Sequence, residues 1–240
     1  MIGARLAQIF WAALFVAQLF SSGSLLAQDN PDQTANGAVE TAPLQTTAFL
    51  RTSAARNGQF FNFSEATVDN GRWIALDIGW LNFGKLGYGE VFGGGGRIQP
   101  VGEKAQIIAE LYFDRSYGPL SDHANYILTY VAPSYSLGKG WSADAAVFPY
   151  LPIDHKGSFQ LVVDYAALRK QLNTHLQVSA GYAAYKFGST ALVNKEFGSF
   201  TLLSQHHGSL ETMLLHVPGL PGGFGVEFRY VVALKHGSGK

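Results

Sequence analysis

From residue 72 onward, apolar and polar residues alternate with a period of two in one segment after another. The clearest case is the last segment. Its apolar row is Phe224, Val226, Phe228, Tyr230, Val232 and Leu234, and the row between contains Gly225, Glu227, Arg229 and Lys235. Such alternation predicts β-strands with one apolar and one polar face. Since no segment of this region shows a convincing helical period, the body of the chain is predicted to be all-β.

About ten segments carry this pattern clearly or in a weaker form, and an even strand count is favoured, with about eight strands as the alternative. They are 73–83, 86–97, 104–114, 125–137, 140–151, 159–165, 176–184, 197–205, 209–217 and 224–234. Strict alternation places Ile74, Ile78 and Trp80 on one face of the first segment and Asp77 on the other. It likewise places Tyr165 on the apolar face and Asp164 on the polar face of their segment.

Alternation occurs both in membrane barrels and in soluble β-sandwiches, so it cannot distinguish them. The composition of the polar rows can. Rows that meet water usually carry Lys, Glu and Thr, whereas these rows are dominated by Ala, Ser, Gly and Gln, which suit a narrow lumen. Lysines gather near the predicted turns, and several Tyr and Trp residues lie near strand ends, as at a headgroup boundary. The connections alternate between short and long, which is typical of periplasmic turns and external loops.

Segments such as 176–185, LQVSAGYAAY, resemble the strands of bacterial outer-membrane β-barrels as a class. The resemblance implies an antiparallel up-and-down transmembrane barrel in the bacterial outer membrane. Counting the short and long connections places both chain ends on the periplasmic side, with 84–85 as an unusually short external loop. Such barrels often end on an aromatic residue, whereas this chain continues after Leu234 as KHGSGK. A secreted soluble β-sandwich or lipocalin-like barrel is the alternative.

The first 27 residues predict a cleaved export signal. Arg5 precedes an apolar run over 9–17, small residues follow at 21–24, and cleavage is expected after Ala27. An uncleaved signal anchor is the alternative, since 6–27 approaches the length of a membrane span of about 20 residues.

Residues 28–71 are predicted to be a flexible periplasmic linker, because their first part has too little apolar surface to offset the cost of ordering. The second part of this segment contains Phe60, Phe61 and Phe63. It is compatible with a short strand, a plug or an interfacial patch. The barrel is predicted over 72–236, and 237–240 form a tail.

Charge excludes one class of partner. The 17 basic and 17 acidic side chains cancel, and no stripe of Lys and Arg could neutralise a run of phosphates, so nucleic-acid binding is not expected. The chain contains no cysteine, which excludes disulfides and thiolate metal sites.

The rows predicted to face inward carry mostly acids, among them Asp114, and a few bases, among them Lys104. Buried ions must pair, so a polar network in the lumen is predicted. Its members are Asp77, Glu110, Asp144, Asp164, Glu227 and Arg229. Salt bridges that fill the lumen and a path for cations are both compatible with this set. No catalytic, cofactor or metal site is predicted.

The segment His206-His207-Gly208-Ser209-Leu210-Glu211 is the one catalytic candidate, because residues 207, 209 and 211 share a strand face. Its His-x-Ser pair faintly resembles the lipid A 3-O-deacylase family of the outer membrane. A hairpin turn explains the same residues.

Four consecutive glycines, Gly93 to Gly96, lack the lysine and the strand-loop-helix context of a phosphate-binding loop. In a barrel strand they predict a bend or the close approach of another segment, for which the phenylalanines at 60–63 are the candidate.

The sequence therefore predicts a small outer-membrane β-barrel with a structural, interaction or narrow-pore role and no cofactor. Its expected partners are outer-membrane lipid and the export and barrel-assembly machinery, and a small-molecule or polysaccharide ligand is not identified. The alternatives are an outer-membrane lipid-modifying hydrolase and a soluble secreted binding protein; an enzyme is the less favoured reading.

Overall fold

The computed structural model describes residues 44–55, 60–84, 87–119, 121–187, 193–204, 208–219 and 223–234. The predicted export signal, the last two residues of the predicted barrel (235 and 236) and the predicted tail (237–240) lie outside these ranges. The described part of the chain contains no helix long and apolar enough to cross a membrane.

The described residues form twelve antiparallel strands that close into one barrel, in which each strand pairs with its neighbours in sequence and the first pairs with the last. They are β1 (Gln45–Ala55), β2 (Phe60–Asp69), β3 (Trp73–Phe83), β4 (Tyr88–Val101), β5 (Ala105–Tyr117), β6 (Asn125–Gly138), β7 (Trp141–Pro152), β8 (Gln160–Gln171), β9 (Leu176–Phe187), β10 (Val193–Ser204), β11 (Gly208–His216) and β12 (Phe224–Leu234).

The prediction of about ten strands, or eight, is wrong, and the two additional strands are β1 and β2. Both lie in the interval predicted to be a linker. On β2 the aromatic residues Phe61 and Phe63 face the lumen, and Asn62 and Ser64 occupy the outward row. The usual order of an apolar outer row and a polar inner row is thus reversed there, and the alternation signal that identifies a barrel strand is lost.

The outer surface of the barrel is apolar and the inner surface is polar. Ile78, Trp80 and Phe228 are 49%, 40% and 45% exposed, whereas Asp77 and Glu227, which alternate with them, are each 1% exposed. A soluble β-protein has the opposite arrangement, because its apolar rows form the core. An exposed apolar band around a closed barrel is the arrangement that a lipid environment requires.

Irregularities in the strands turn two residues inward that strict alternation places outside. The β3–β4 register shifts between Ile74 and Asp77, and Ile74 is buried. The β8–β9 register shifts between Val163 and Ala166, and the ring of Tyr165 lies under guanidinium groups of the lumen. A bulge places an extra residue on one strand and so breaks the period of two. The predicted outward positions of Ile74 and Tyr165 are therefore wrong.

The connections differ between the two ends of the barrel. Turns of two to four residues, 102–104, 139–140 and 172–175, lie at one end, and the longer connections 118–124 and 153–159 lie at the other. Because the barrel has an even number of strands, β1 begins and β12 ends at the end with the short turns.

The glycine run in β4 allows close contact with β5. A Cβ atom added at Gly94 would lie 2.0 Å from the carbonyl oxygen of Leu111, and one at Gly96 would lie 2.1 Å from that of Ala109. The approaching segment is therefore the backbone of β5 and not the phenylalanines at 60–63, although Phe63 stacks on Phe92 with ring centroids 5.7 Å apart.

We expect Gly94→Ala to destabilise the folded barrel by about 1–3 kcal/mol, because the β5 backbone must move to admit the methyl group. Gly93→Ala is the matched control in the same strand: its nearest contact is the Ile78 side chain at 3.4 Å, an ordinary packing distance. Unfolding titrations of both variants in lipid vesicles measure the difference. Equal stability of the two variants would contradict the close-packing explanation.

Phe228→Arg should cost about 2–4 kcal/mol, because it places a charge on the lipid-facing row near the middle of β12. Leu234→Arg, on the same row but at the end of the strand, should cost only about 0–1 kcal/mol. Folding titrations into vesicles compare the two. A harmless Phe228→Arg would mean that this row faces water.

Candidate functional site

Most of the charged side chains on the inner wall of the barrel form two groups with different pairing, and Lys195 of β10 also lies on an inward row, with its Nζ 4.5 Å from the centroid of the Tyr185 ring. The first, the arginine cluster, contains Arg51, Arg169, Arg229, Asp144, Asp164, Glu211 and Glu227. The second, the acidic wall, lies on β2 to β5 and contains Glu65, Asp77, Glu90, Glu110 and Asp114.

Two arginines of the cluster share two carboxylates. Arg51 Nη1 donates to Asp164 Oδ1 at 2.6 Å, and Arg51 Nε lies 2.7 Å from Glu227 Oε1. Arg229 Nε donates to the same Glu227 oxygen at 2.7 Å, and its Nη2 lies 3.6 Å from Asp164 Oδ2. Arg51 and Arg229 are directly opposite across the β1–β12 pair, where like charges would repel without these carboxylates.

The third arginine joins the same cluster through different acids. Arg169 Nε lies 3.0 Å from Asp144 Oδ2, and its Nη1 donates to Glu211 Oε1 at 3.2 Å. Ser199 Oγ also donates to Glu211 Oε1, at 2.5 Å. The ring of Tyr165 contacts two of the arginines, with Arg169 5.4 Å and Arg229 5.5 Å from its centroid. Each of the three arginines is thus paired with carboxylates.

Among the described residues, the acidic wall has no ion-pair partner. In the described ranges, no arginine or lysine forms an ion pair with Asp77 or Glu110, which are 1% and 3% exposed. Tyr112 OH donates to Asp77 Oδ2 at 3.0 Å. Asp77 Oδ1 and Glu110 Oε1 are buried without a hydrogen-bond partner. This part of the lumen is therefore strongly negative when its carboxyl groups are ionised.

Near the end of the barrel with the longer loops, tyrosine side chains lie beside the acids of the acidic wall. Glu90 accepts hydrogen bonds from Tyr88 OH and, at 3.2 Å, from Tyr150 OH. Glu90 lies on β4 and Tyr150 on β7, so the second bond links strands that are not adjacent in the sheet. Asp114 is 0% exposed, and neither of its oxygens has a hydrogen-bond partner.

Hydrogen bonds to Asp122 hold the loop that follows β5. The Asp122 carboxylate accepts hydrogen bonds from Ser116 Oγ at 2.5 Å, from Tyr126 OH at 2.6 Å and from the Ala124 amide at 3.0 Å. Partial burial raises the pKa of Asp122, but these hydrogen bonds outweigh it and hold the pKa below the ordinary value. Gln160 Nε2 donates to Tyr126 OH at 3.1 Å.

The structure divides the six residues of the predicted lumen network between the two groups. Four belong to the arginine cluster and have ion-pair partners: Asp144, Asp164, Glu227 and Arg229. Asp77 and Glu110 belong to the acidic wall and have none among the described residues. Lys104, expected on an inward row, lies in an exposed turn between β4 and β5.

Sequence reasoning missed Arg51 and Arg169 for different reasons. Arg51 lies in β1, which was predicted to be linker, and Arg169 lies beyond the predicted end of its strand at residue 165. Glu211 was considered only as a catalytic acid. Extending this strand to residue 171 would have included Arg169, but strict alternation would have placed it on the outward row with Tyr165. The bulge between Val163 and Ala166 turns it inward.

The structure does not favour the hydrolase alternative. His206 and His207 lie outside the described residues, and the Glu211 oxygen that could orient a histidine accepts bonds from Arg169 and Ser199 instead. The described residues also contain no group of three or more His, Asp or Glu side chains placed to hold a metal ion.

Replacing Arg229 with alanine should destabilise the barrel by about 3 kcal/mol, because it leaves buried carboxylates with one arginine fewer. The side chains of Arg229 and Glu227 are only 8% and 2% exposed, so water cannot replace the lost partner. Arg72→Ala, in an exposed turn, should change stability by less than about 0.5 kcal/mol. Vesicle unfolding titrations provide the comparison. A loss below about 1 kcal/mol for Arg229→Ala would indicate a wide, water-filled space around the cluster.

Comparison with known proteins yields matches in structure alone. No protein-family model and no curated protein sequence matches the chain. A KdgM porin in complex with disordered oligogalacturonate matches with a TM-score of 0.55 and 9% identity, over 79% of this chain and 99% of the porin. A second KdgM porin structure matches with a TM-score of 0.50 and 8% identity, over the same shares of the two chains. At this identity the likeness concerns the fold, and the chain has the fold of the bacterial outer-membrane β-barrels.

Proposed function

We propose that this chain is an outer-membrane channel protein with a narrow lumen that admits small cations in preference to anions. The observation that carries the proposal is the acidic wall. Asp77, Glu110 and Asp114 face the lumen without a basic partner among the described residues, whereas the three arginines of the lumen are each neutralised by carboxylates.

The membrane location in this proposal is supported by the surface of the barrel. Its outward rows expose large apolar side chains from strand to strand, including Leu76, Phe113, Phe200 and Leu214. Exposure of such a continuous apolar band to water is unfavourable, whereas contact with lipid tails is favourable. Export through the predicted signal at 1–27, with the short turns in the periplasm and the longer loops outside, completes this part of the proposal.

The preference for cations follows from the net field of the lumen. A ring or row of carboxylates in a confined channel attracts cations and repels anions, and the low dielectric of the surrounding barrel strengthens the effect. The arginine cluster does not cancel this field, because its bases are matched by Asp144, Asp164, Glu211 and Glu227 within the cluster itself.

The same charges argue against an acidic oligosaccharide as the ligand. A chain of carboxylate-bearing sugars, such as the oligogalacturonate in the complex with the KdgM porin, needs bases that are free to bind it. Arg51, Arg169 and Arg229 already bind carboxylates of the protein. The proposal therefore concerns small cations and does not transfer the ligand of the porin to this chain.

A closed structural scaffold is the second candidate, and the packing of the lumen favours it. Tyr126, Leu128 and Met213 are inward-facing and 0 to 2% exposed, and the Tyr150–Glu90 hydrogen bond spans several strands. A filled barrel of this kind conducts nothing unless these side chains move. Conductance therefore separates the two candidates directly.

We expect the purified protein to produce single-channel currents in planar bilayers, with a reversal potential in a KCl gradient that indicates cation preference. The double variant Asp77→Asn with Glu110→Gln should move the reversal potential toward zero, because it removes two charges of the acidic wall. Glu196→Gln, whose side chain is 64% exposed, is the control and should leave the selectivity unchanged.

Two outcomes would contradict the channel proposal. Folded, heat-modifiable protein that inserts into bilayers without conducting would favour the closed scaffold. Anion preference in the unmodified protein would show that the acidic wall does not control permeation.

A further inference from the structure

Two connections at the end of the barrel with the longer loops meet at one side chain of the lumen, Tyr126. This residue lies near the start of β6, belongs to the buried cluster on the inner wall and is 0% exposed. Its hydroxyl donates to Asp122 Oδ2 at 2.6 Å and accepts a hydrogen bond from Gln160 Nε2 at 3.1 Å. Asp122 belongs to the connection between β5 and β6, and Gln160 is the first residue of β8. The first of the two connections is thus bound directly to an inward phenol.

The second connection, 153–159, packs against the same hydroxyl. Gly157 is buried, and a Cβ atom added there would lie 2.8 Å from the hydroxyl oxygen of Tyr126. Asp154 ties this connection to the start of β6, because its Oδ2 accepts hydrogen bonds from the backbone amide of Asn125 at 3.0 Å and from Asn125 Nδ2 at 2.9 Å. Both connections therefore turn inward and cover the end of the Tyr126 side chain.

We call residues 121–124 and 153–159 together the Tyr126 lid. Polar contacts hold the lid, and its large apolar side chains contribute little packing, because Ile153 and Phe159 are both exposed. Segments with few buried apolar contacts open locally at a lower free energy than the strands that carry them. The lid can therefore detach while the barrel stays folded.

Tyr126 also connects the lid to the acidic wall. Tyr150 packs edge to face on Tyr126, with ring centroids 5.8 Å apart, and Tyr150 OH donates to Glu90 Oε2 at 3.2 Å. Asp114 is directly opposite Tyr126 on the neighbouring strand. Glu90 and Asp114 are 3% and 0% exposed. With the lid in place, these two acids have almost no contact with water.

From these contacts we infer that the Tyr126 lid is a gate of the lumen, closed in this structure. It opens when the Tyr126 hydroxyl leaves Asp122 and Gln160. Opening frees the Tyr126 ring to move and gives water and small cations access to Glu90 and Asp114. The inference rests on the proposed channel function for its role in conduction, but the opening itself can be measured without current.

Trypsin measures the opening of the lid, because Lys156 is an exposed residue of the lid and cleavage after it requires the surrounding chain to detach. Tyr126→Phe keeps the ring and removes both hydrogen bonds of the hydroxyl. In the full chain folded in detergent, we expect this variant to be cleaved after Lys156 about tenfold faster than the unmodified protein. Tyr130→Phe, on the same inward row of β6, is the matched control and should not change the rate. Cleavage after Lys104, in a turn at the opposite end, is the internal reference.

Access to the acidic wall is measured separately, by labelling carboxyl groups with a water-soluble carbodiimide and glycine amide and locating the label by mass spectrometry. Tyr126→Phe should increase the labelling of Glu90 severalfold. The labelling of Glu196, whose side chain is 64% exposed, should stay unchanged. Asp122→Asn is the second variant. It should increase cleavage and labelling to a smaller extent, because the amide keeps the shape and loses the charge that strengthens the hydrogen bond from Tyr126.

Unchanged cleavage after Lys156 in both Tyr126→Phe and Asp122→Asn would overturn the inference. Faster cleavage without increased labelling of Glu90 would show that the lid does not control access to the acidic wall, and would overturn it as well. Either result would leave the channel proposal standing if the unmodified protein conducts cations in bilayers. Absence of current in the unmodified protein and in Tyr126→Phe, together with increased cleavage and labelling, would instead contradict the channel and support the lid.

Discussion

Pairing of β1 with β12 closes the hydrogen-bonded ladder, and the rest of this structure depends on that closure. A strand edge left open in a hydrocarbon environment would leave a row of backbone groups without partners, each at a cost of several kcal/mol. Closure also brings Arg51 to a position opposite Arg229, so part of the arginine cluster forms at the seam of the barrel. A ten-stranded barrel without β1 and β2 would contain neither this seam nor Arg51.

A closed barrel in lipid also reverses the usual relation between polarity and burial. Its outward rows must be apolar, so every charge that a strand carries at mid-height must turn inward, into a space shared with the opposite wall. This chain meets that constraint in two ways. On one wall, arginines and carboxylates compensate each other at 2.6 to 3.6 Å; on the other, acids are accompanied by tyrosines and phenylalanines.

The arginine cluster compensates its charges and the acidic wall does not, and this difference connects the fold to the proposed activity. A lumen built for packing alone would be expected to compensate its acids, as the arginine cluster does, because each uncompensated buried carboxylate lowers stability. Asp77, Glu110 and Asp114 depart from that expectation. Such departures are common at functional sites, where stability is given up for binding or transport. The bulge that turns Tyr165 inward and the glycines that bring β4 close to β5 shape the same lumen.

The sequence by itself determined the all-β class and the antiparallel barrel. It also predicted inward rows that carry Asp77, Glu110, Asp144, Asp164, Glu227 and Arg229, because alternation over a strand assigns each residue to a face. It did not determine the strand count, since β2 carries its aromatic residues inside and β1 has Thr and Ala on its outer row, so neither shows an apolar outer row. Only the tertiary structure decided which charges meet, because ion pairs such as Arg51 with Asp164, 113 residues apart, depend on closure, register and bulges. These are properties of how strands pair, which a periodic pattern within one strand does not contain.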